Sequence, residues 1–360
     1  MGSIGAVPRR RRTRHWRGAL VAPLCLAVTL AALADVVDAS EAGDAALPAS
    51  SPSAAGLRPS ASPASGAHPS LPELLSAAGY VLPAGASVYA VKVLGTPGHI
   101  AGYVPYEAGD GAYATDFWPA SSIKVAVAVG ALAFLRTLGF TGAATVSTDD
   151  GWTSTVHDLY DAALRDSSNE AYDELVQIAG YDWLNNVFLT PANGFPTTVV
   201  QRSYSGIDIT TSPAMTVAEG DRQTVIPDRA STADYGCADA GNCSDLFELV
   251  DAVRRVVLNS EIPPAERFPI DASDIAGLTD ALAGADGFLT PGVTAVLGDG
   301  SVVYDKPGWV SGLDCVDVGL VVSPSGQRFL LGEAAPDDGS GCDVLAGVAQ
   351  EVLQLLMTPR

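Results

Sequence analysis

Phe117-Trp118-Pro119-Ala120-Ser121-Ser122-Ile123-Lys124 runs directly into Val125-Ala126-Val127-Ala128-Val129-Gly130-Ala131-Leu132, and the reading of this stretch decides the fold. Proline is favoured where a helix opens, because the N–H it lacks would be unpaired there. A helix is therefore predicted from Pro119 to Leu138. It is apolar all round rather than along one stripe, the pattern of a buried central helix. Ser121 then lies in the first turn and Lys124 three residues on, on the same face. A serine hydroxyl beside a lysine amine is a known way to make a nucleophile. Lysine is scarce in this chain, being confined to Lys92, Lys124 and Lys306, and a solvated surface lysine fits so apolar a helix badly.

Outward from this helix, both ends of the chain read as sheet and the middle as helices. Leu71 to Ala78 is predicted as a first helix. Ser87 to Leu94 is a strand with β-branched and aromatic character, and His99 to Tyr106 its hairpin partner. Thr155 to Leu164 forms a second helix with Thr155 as N-cap, and Glu170 to Ala179 a third, capped by Ser168 or Asn169. Trp183 to Phe188 is a short helix, Ser244 to Leu258 an amphipathic one with Ser244 as cap, and Asp274 to Ala283 another. Residues 190–242 are rich in Thr, Pro, Gly, Asp and Ser and read as a long loop region. After Pro291 the period of two returns, in Val302–Lys306, Asp317–Val322 and Arg328–Leu331, before a last apolar helix, Asp343 to Leu356. The predicted architecture is a three-layer α/β (α+β) fold. One antiparallel sheet, built from the N- and C-terminal segments and flanked by helices, holds a helical insert spanning 119–290.

The 360 residues carry a formal net charge of −21. That balance repels nucleic acid and anionic membranes and favours solubility. The first 39 residues go against it, with Arg9 to Arg12, Arg14 and Arg17 ahead of an apolar run, Ala19 to Ala34. This is the pattern of an export signal, with cleavage candidates at Ala32-Leu33-Ala34 and Val37-Asp38-Ala39. An uncleaved N-terminal anchor is the alternative, and the arginine pairs also permit a twin-arginine route. Residues 40–70, rich in Ala, Ser, Pro and Gly, form a flexible linker, which leaves 71–360 as the folded domain. Export to a secreted or cell-envelope location suits disulfides for the four cysteines that follow. Three connectivities are possible, and Cys237–Cys243 with Cys315–Cys342 is the favoured pairing. The cysteine spacing and the scattered His15, His99 and His157 offer no metal site, and nothing points to a cofactor.

Three motifs fall in order: Ser121-Ser122-Ile123-Lys124 opening the buried helix, Ser167-Ser168-Asn169 between two helices, and Lys306-Pro307-Gly308 ending a strand. Their order resembles the penicillin-recognising serine hydrolases, whose set is Ser-x-x-Lys, Ser-x-Asn and Lys-Thr-Gly. The run from Thr155 to Leu175 looks particularly like class A β-lactamases. The resemblance spans 71–360, firmly at the motifs and loosely across 180–290. It implies the β-lactamase/transpeptidase-like fold and acyl transfer through Ser121, with Lys124 taking its proton. Ser167 would relay a proton to the leaving group, supported by Lys306. Asn169 would hold the substrate amide, and Gly308 and Trp309 would border it, the backbone N–H groups of Ser121 and Trp309 forming an oxyanion hole. Trp118 and Trp309 are candidates for the cleft walls.

Two departures bear on the chemistry. Pro307 stands where the family has Thr, which removes a hydroxyl that helps bind the substrate carboxylate and places the strand at an edge or bulge. No Glu-x-x-Leu-Asn follows the second motif, although that glutamate activates the deacylating water in class A enzymes. Arg202 to Asp208 falls in that region; Asp208 is the nearest acid, with Glu219 and Asp221 behind it, and none matches the spacing. The expected activity is β-lactam hydrolysis by a monomer acting on a small-molecule or peptidoglycan-like substrate. D-alanyl-D-alanine carboxypeptidase or esterase chemistry is the first alternative, and a weakly catalytic penicillin-binding or envelope ligand-binding protein the second.

Overall fold

A computed structural model describes residues 69–208, 210–232, 234–237 and 241–357. The export segment 1–39, and the linker 40–70 apart from its last two residues, lie outside the described residues. The chain opens with α1 (Leu71–Ala78), β1 (Ser87–Thr96) and β2 (His99–Ala108). Then come α2 (Lys124–Thr137), β3 (Thr145–Ser147), β4 (Thr153–Thr155), α3 (Val156–Leu164), α4 (Asn169–Ala179) and α5 (Tyr181–Trp183). Short strands β5 (Thr211–Ser212), β6 (Met215–Glu219), β7 (Arg222–Ile226) and β8 (Arg229–Ala230) precede α6 (Leu246–Val257), α7 (Ala272–Ala283) and α8 (Thr290–Leu297). The chain returns through β9 (Val302–Val310), β10 (Asp314–Val322), β11 (Arg328–Pro336) and α9 (Asp343–Met357).

The main sheet has the order β2-β1-β11-β10-β9. β1 pairs antiparallel with β11, Ala90 opposite Leu331, so the two ends of the chain close one sheet. Both faces are covered, which is why its inner strands read as nearly continuous apolar runs. Tyr89, Val91, Val318 and Leu320 pack against the helical insert. Val88, Ala90, Val321 and Leu331 pack against α1, α8 and α9. The three-layer expectation holds.

α2 is the core of the insert, with Lys124 to Ala133 all buried. The segment Ala120–Thr137 is long and apolar enough to cross a membrane, yet 78% of it is buried inside the protein. Caps set the neighbouring helices: Thr155 Oγ1 accepts from Asp158 N at 3.0 Å, and Ser168 Oγ from Ala171 N at 3.1 Å.

Four expectations are corrected. Residues 190–242 are not all loop, since β6 and β7 form a hairpin that joins β3 and β4 in a second sheet. Met215 and Val217 face inward, and Gly220 supplies the positive φ (60°) that the tight turn needs, but the intervening Thr, Glu, Arg and Gln mask the alternation. α6 is capped by Asp245, which accepts from Glu248 N at 2.8 Å, whereas Ser244 Oγ bonds Thr198 Oγ1. The third motif does not end its strand, because β9 continues to Val310. β9 is an edge strand, which tolerates the donor that Pro307 lacks. The helix from Pro119 opens as a 3-10 turn, Ala120–Ile123, and the α-helix proper starts at Lys124. The disulfides are Cys237–Cys243 and Cys315–Cys342.

Candidate active site

Ser121 sits in the 3-10 turn that leads into α2, and the turn is held from three sides. Ser122 Oγ donates to Pro119 O at 2.5 Å. Tyr204 Oη donates to Ala120 O at 2.6 Å. The third support is β9. A Cβ on Gly308 would lie 2.6 Å from Pro119 O and 3.0 Å from Ser121 N, so only glycine lets the strand approach the Ser121 amide this closely. Ala120 has φ 45°, a left-handed conformation that costs a non-glycine residue about 1–3 kcal/mol. The surrounding bonds hold that strain next to the serine.

Lys124 and Lys306 both reach the Ser167 hydroxyl. Both are fully buried, at 0% exposure. Lys124 Nζ donates to Ser167 O at 2.6 Å and Asn169 Oδ1 at 2.9 Å, and lies 3.5 Å from Ser167 Oγ. Lys306 Nζ donates to Ser167 Oγ at 2.9 Å and to Pro307 O at 3.0 Å. Ser167 makes this convergence possible with another positive φ, 55°. Burial, then the nearby Lys306 charge, pushes the Lys124 amine down to about 7, against the pull of Asp173 and Glu170. Burial pushes Lys306 down to about 8, opposed by Asp317 and Asp305. An amine near 7 can hold or release a proton at neutral pH, which suits general acid–base work. Ser121 Oγ has no hydrogen-bond partner among the described residues. Lys124 is instead engaged by the Ser167–Asn169 turn, and such bonds often tighten only with substrate in place.

Ser121 opens into a cleft of about 210 Å³, walled by Trp118 and Trp309 and lined also by Asn169, Arg202 and Tyr204. Trp309 is 50% exposed, and its Nε1 donates to Asp337 at 2.8 Å. The structure thus brings together Ser121, Lys124, Ser167, Asn169, Lys306, Gly308 and Trp309, drawn from three distant segments.

The acids behave differently. None lines the cleft among the described residues. Asp208 accepts from Thr210 N at 2.8 Å and lies in its own exposed turn. Glu219 accepts from Thr141 N at 2.8 Å, and Asp221 lies in the β6–β7 turn. From the 202–208 loop it is Tyr204 that reaches the site: its ring stacks on Tyr172 at 4.5 Å and lies 5.6 Å from Lys124 Nζ. Asp173 is buried behind the loop, with both oxygens committed to Ser203, Tyr204 and Ser205. Sequence reasoning left Tyr204, Asp173 and Asn242 without a part. Each is an ordinary polar residue whose place depends on contacts tens of residues away.

No protein-family model and no curated relative matches this chain. Solved structures do match. A class A β-lactamase from Mycobacterium abscessus superposes with a TM-score of 0.53 at 20% identity, over 80% of this chain and 99% of that one. A class A β-lactamase from Bacteroides cellulosilyticus gives 0.52 at 13% identity, over 79% and 96%. The fold is that of the penicillin-recognising β-lactamases. It is shared with PBP-A, one structure of which is a mutant in an acyl-enzyme complex with penicillin G, at a TM-score of 0.56, 14% identity and 80% and 97% coverage. At such identities the likeness concerns the β-lactamase fold, and the chemistry rests on the residues themselves.

Proposed function

We propose that residues 71–360 are a serine hydrolase that works through an acyl-enzyme on Ser121, with β-lactam amides as the first candidate substrates. The observation that carries this reading is the Ser167 hydroxyl held between two buried amines beside the Ser121 turn. Ser121 Oγ attacks the carbonyl carbon and gives its proton to neutral Lys124. The tetrahedral oxyanion is held by the Ser121 and Trp309 backbone N–H groups, with Asn169 holding the substrate amide. As the C–N bond breaks, a proton passes through Ser167 to the leaving nitrogen, with the Lys306 charge supporting the transfer. Water then cleaves the ester and frees the acid and Ser121. The PBP-A structure with penicillin G supports this reading, because it places an acyl-enzyme on the same fold.

A specific observation favours a second reading, a penicillin-binding D-alanyl-D-alanine carboxypeptidase or esterase. Among the described residues no carboxylate lines the cleft, whereas Tyr204 does. Burial raises the Tyr204 hydroxyl well above its ordinary range, so it is no base at neutral pH. A β-lactam would then acylate Ser121 and leave slowly. Intact mass over time with benzylpenicillin separates the two, since rapid turnover means a β-lactamase and a lasting adduct means the second reading. Ser121→Ala should lower any hydrolysis or adduct formation by on the order of 10⁴-fold or more. Undiminished activity in that variant would sink both readings. The arginine-rich leader and the two disulfides support export to a secreted or cell-envelope site, where a monomer would meet small-molecule or peptidoglycan-like substrates.

A further inference from the structure

A second cavity, of about 530 Å³, opens far from Ser121. Its apolar walls come from Phe134 and Leu138 at the end of α2, Trp183 and Val187 beside it, and Val225 and Ile226 on β7. Its size falls in the range of small-molecule sites. It shares no lining residue with the Ser121 cleft. Ala179 and Gly180 place it at the end of α4 as well, so it lies at the opposite ends of the two helices that begin with Lys124 and Asn169. Val187 belongs to a π-helical turn, Leu184–Phe188, a geometry that recurs at functional sites. Among the described residues nine large apolar side chains are exposed, and three of them, Leu138, Val187 and Val225, line this one cavity. Such clustering marks a binding surface rather than scattered surface hydrophobes.

Arg229, on β8, brings a charge to the same cavity. Its guanidinium lies 5.3 Å over the Phe134 ring. Nη1 donates to Ala179 O at 2.8 Å, and Nη2 to Gln177 O at 2.7 Å and Ile178 O at 3.1 Å. Nε is buried without a hydrogen-bond partner among the described residues. Other buried arginines are matched by acids, Arg254 by Asp251 and Glu266 and Arg328 by Glu261. Arg229 has no ion pair among the described residues, and burial lowers its proton affinity with no carboxylate opposing. Asp182 also lines the cavity, but it is engaged by Thr232 N at 3.2 Å and by Tyr235 Oη. A desolvated charge without a counter-ion is costly, and an anion entering the cavity would offset that cost.

We propose that this cavity is a second binding site, separate from the Ser121 cleft, for an amphiphilic carboxylate, whose apolar body lies against Phe134, Leu138, Trp183 and Val225 and whose acid group meets Arg229. The proposal is independent of the acyl-enzyme reading, since it involves none of the residues around Ser121.

The test titrates the protein with decanoate and with decan-1-ol, which share an apolar body and differ in the charged head. Calorimetry gives the stoichiometry and affinity, and tryptophan fluorescence compared with Trp183→Phe locates the ligand. One site is expected, with decanoate bound roughly tenfold to a hundredfold more tightly than the alcohol, the usual worth of a hydrogen bond to a charged group. Arg229→Gln should remove that preference, and Arg229→Lys should keep part of it. Because Arg229 also closes the end of α4, circular dichroism and melting temperature check these variants. Leu138→Glu and Val225→Glu alter exposed positions and carry the test even where an Arg229 variant does not fold. Each should weaken decanoate by about tenfold or more, by removing apolar wall and adding a like charge. Ser121→Ala should bind both ligands as wild type does. No saturable binding, equal binding of acid and alcohol, binding undiminished in both rim variants, or binding lost in Ser121→Ala overturns the proposal. Self-association that Val225→Glu abolishes, without ligand binding, would assign the face to a second copy of the chain and overturn it too.

Discussion

The two walls of the cleft are built on different principles. One wall, made of the Ser121 turn, the Ser167 turn and β9, gathers two desolvated amines around the Ser167 hydroxyl. The facing wall, the loop through Arg202 and Tyr204, is just as firmly held, by Asp173, Tyr172 and Asn242. It offers an arginine and a tyrosine but, among the described residues that line the cleft, no carboxylate. The contrast teaches that rigidity alone does not complete an active site. On the proposed function, the first wall would form the acyl-enzyme and the second would bind it without activating water against it.

The largest expected effect breaks the first wall. Lys124→Ala should slow acylation of Ser121 by about 10²- to 10⁴-fold, the usual worth of a positioned base. The pH profile gives the sign. Burial holds Lys124 near 7, so the wild-type rate should fall as pH drops through about 7 and the amine gains its proton, and level off above it. Second-order acylation rates between about pH 5.5 and 9 check this. An inflection near 7 that persists in Lys124→Ala would assign the base elsewhere.

A smaller effect should follow from equipping the second wall. Tyr204→Glu places a carboxylate on the loop beside Ala120 and Lys124. It should shorten the lifetime of the penicillin adduct by about tenfold or more, against the 10²- to 10⁴-fold worth of an ideally placed base. The decay of the adduct mass measures it, and an unchanged or longer lifetime would show that the missing acid is not what retains the acyl group.

The smallest effect lies behind the first wall, on the far face of the sheet. Asp317 stands opposite Glu333 across β10 and β11, and Asp305 lies on β9 two residues before Pro307, which faces Asp317. Among the described residues, both oxygens of Asp305 and of Glu333 are buried without hydrogen-bond partners. Burial, reinforced by Asp317, raises the Glu333 carboxyl well above the ordinary range. An acid with a raised folded pKa is protonated in the native state while the unfolded chain ionises. Its drain on stability is therefore absent below the ordinary carboxylate range and grows as pH rises toward the folded pKa. Glu333→Gln does not ionise, so its melting temperature should rise relative to wild type at pH 8 by on the order of 2 °C per kcal/mol released. At pH 4 the difference should vanish, and an equal shift at both pH values would mean that packing, not ionisation, is responsible.

Much of the first wall was legible in the chain because its signals are local. Continuous apolar character marks α2 as core, Thr155 and Ser168 cap the helices they precede, and Pro307 points to an edge strand. The motifs keep their order along the chain, so Ser121, Lys124, Ser167 and Lys306 could be named before any contact was known. The second wall left no such mark. Tyr204 is one tyrosine among 11, and nothing near it in sequence shows that its hydroxyl closes on Ala120, 84 residues earlier. The hairpin of β6 and β7 was hidden for the same reason, since its pairing with β3 is made far along the chain.

The sequence by itself determined which segments are apolar enough to be buried, where most helices start, and where the few lysines lie relative to the motif serines. Those properties depend on neighbours within one or two turns. Only the tertiary structure decided that Lys306, 139 residues beyond Ser167, shares its hydroxyl with Lys124, and that Arg202 lines the same cleft as Ser121. Desolvation and Coulomb forces act through space between groups the chain holds far apart, so the proton affinity of the site belongs to the fold rather than to any one stretch of residues.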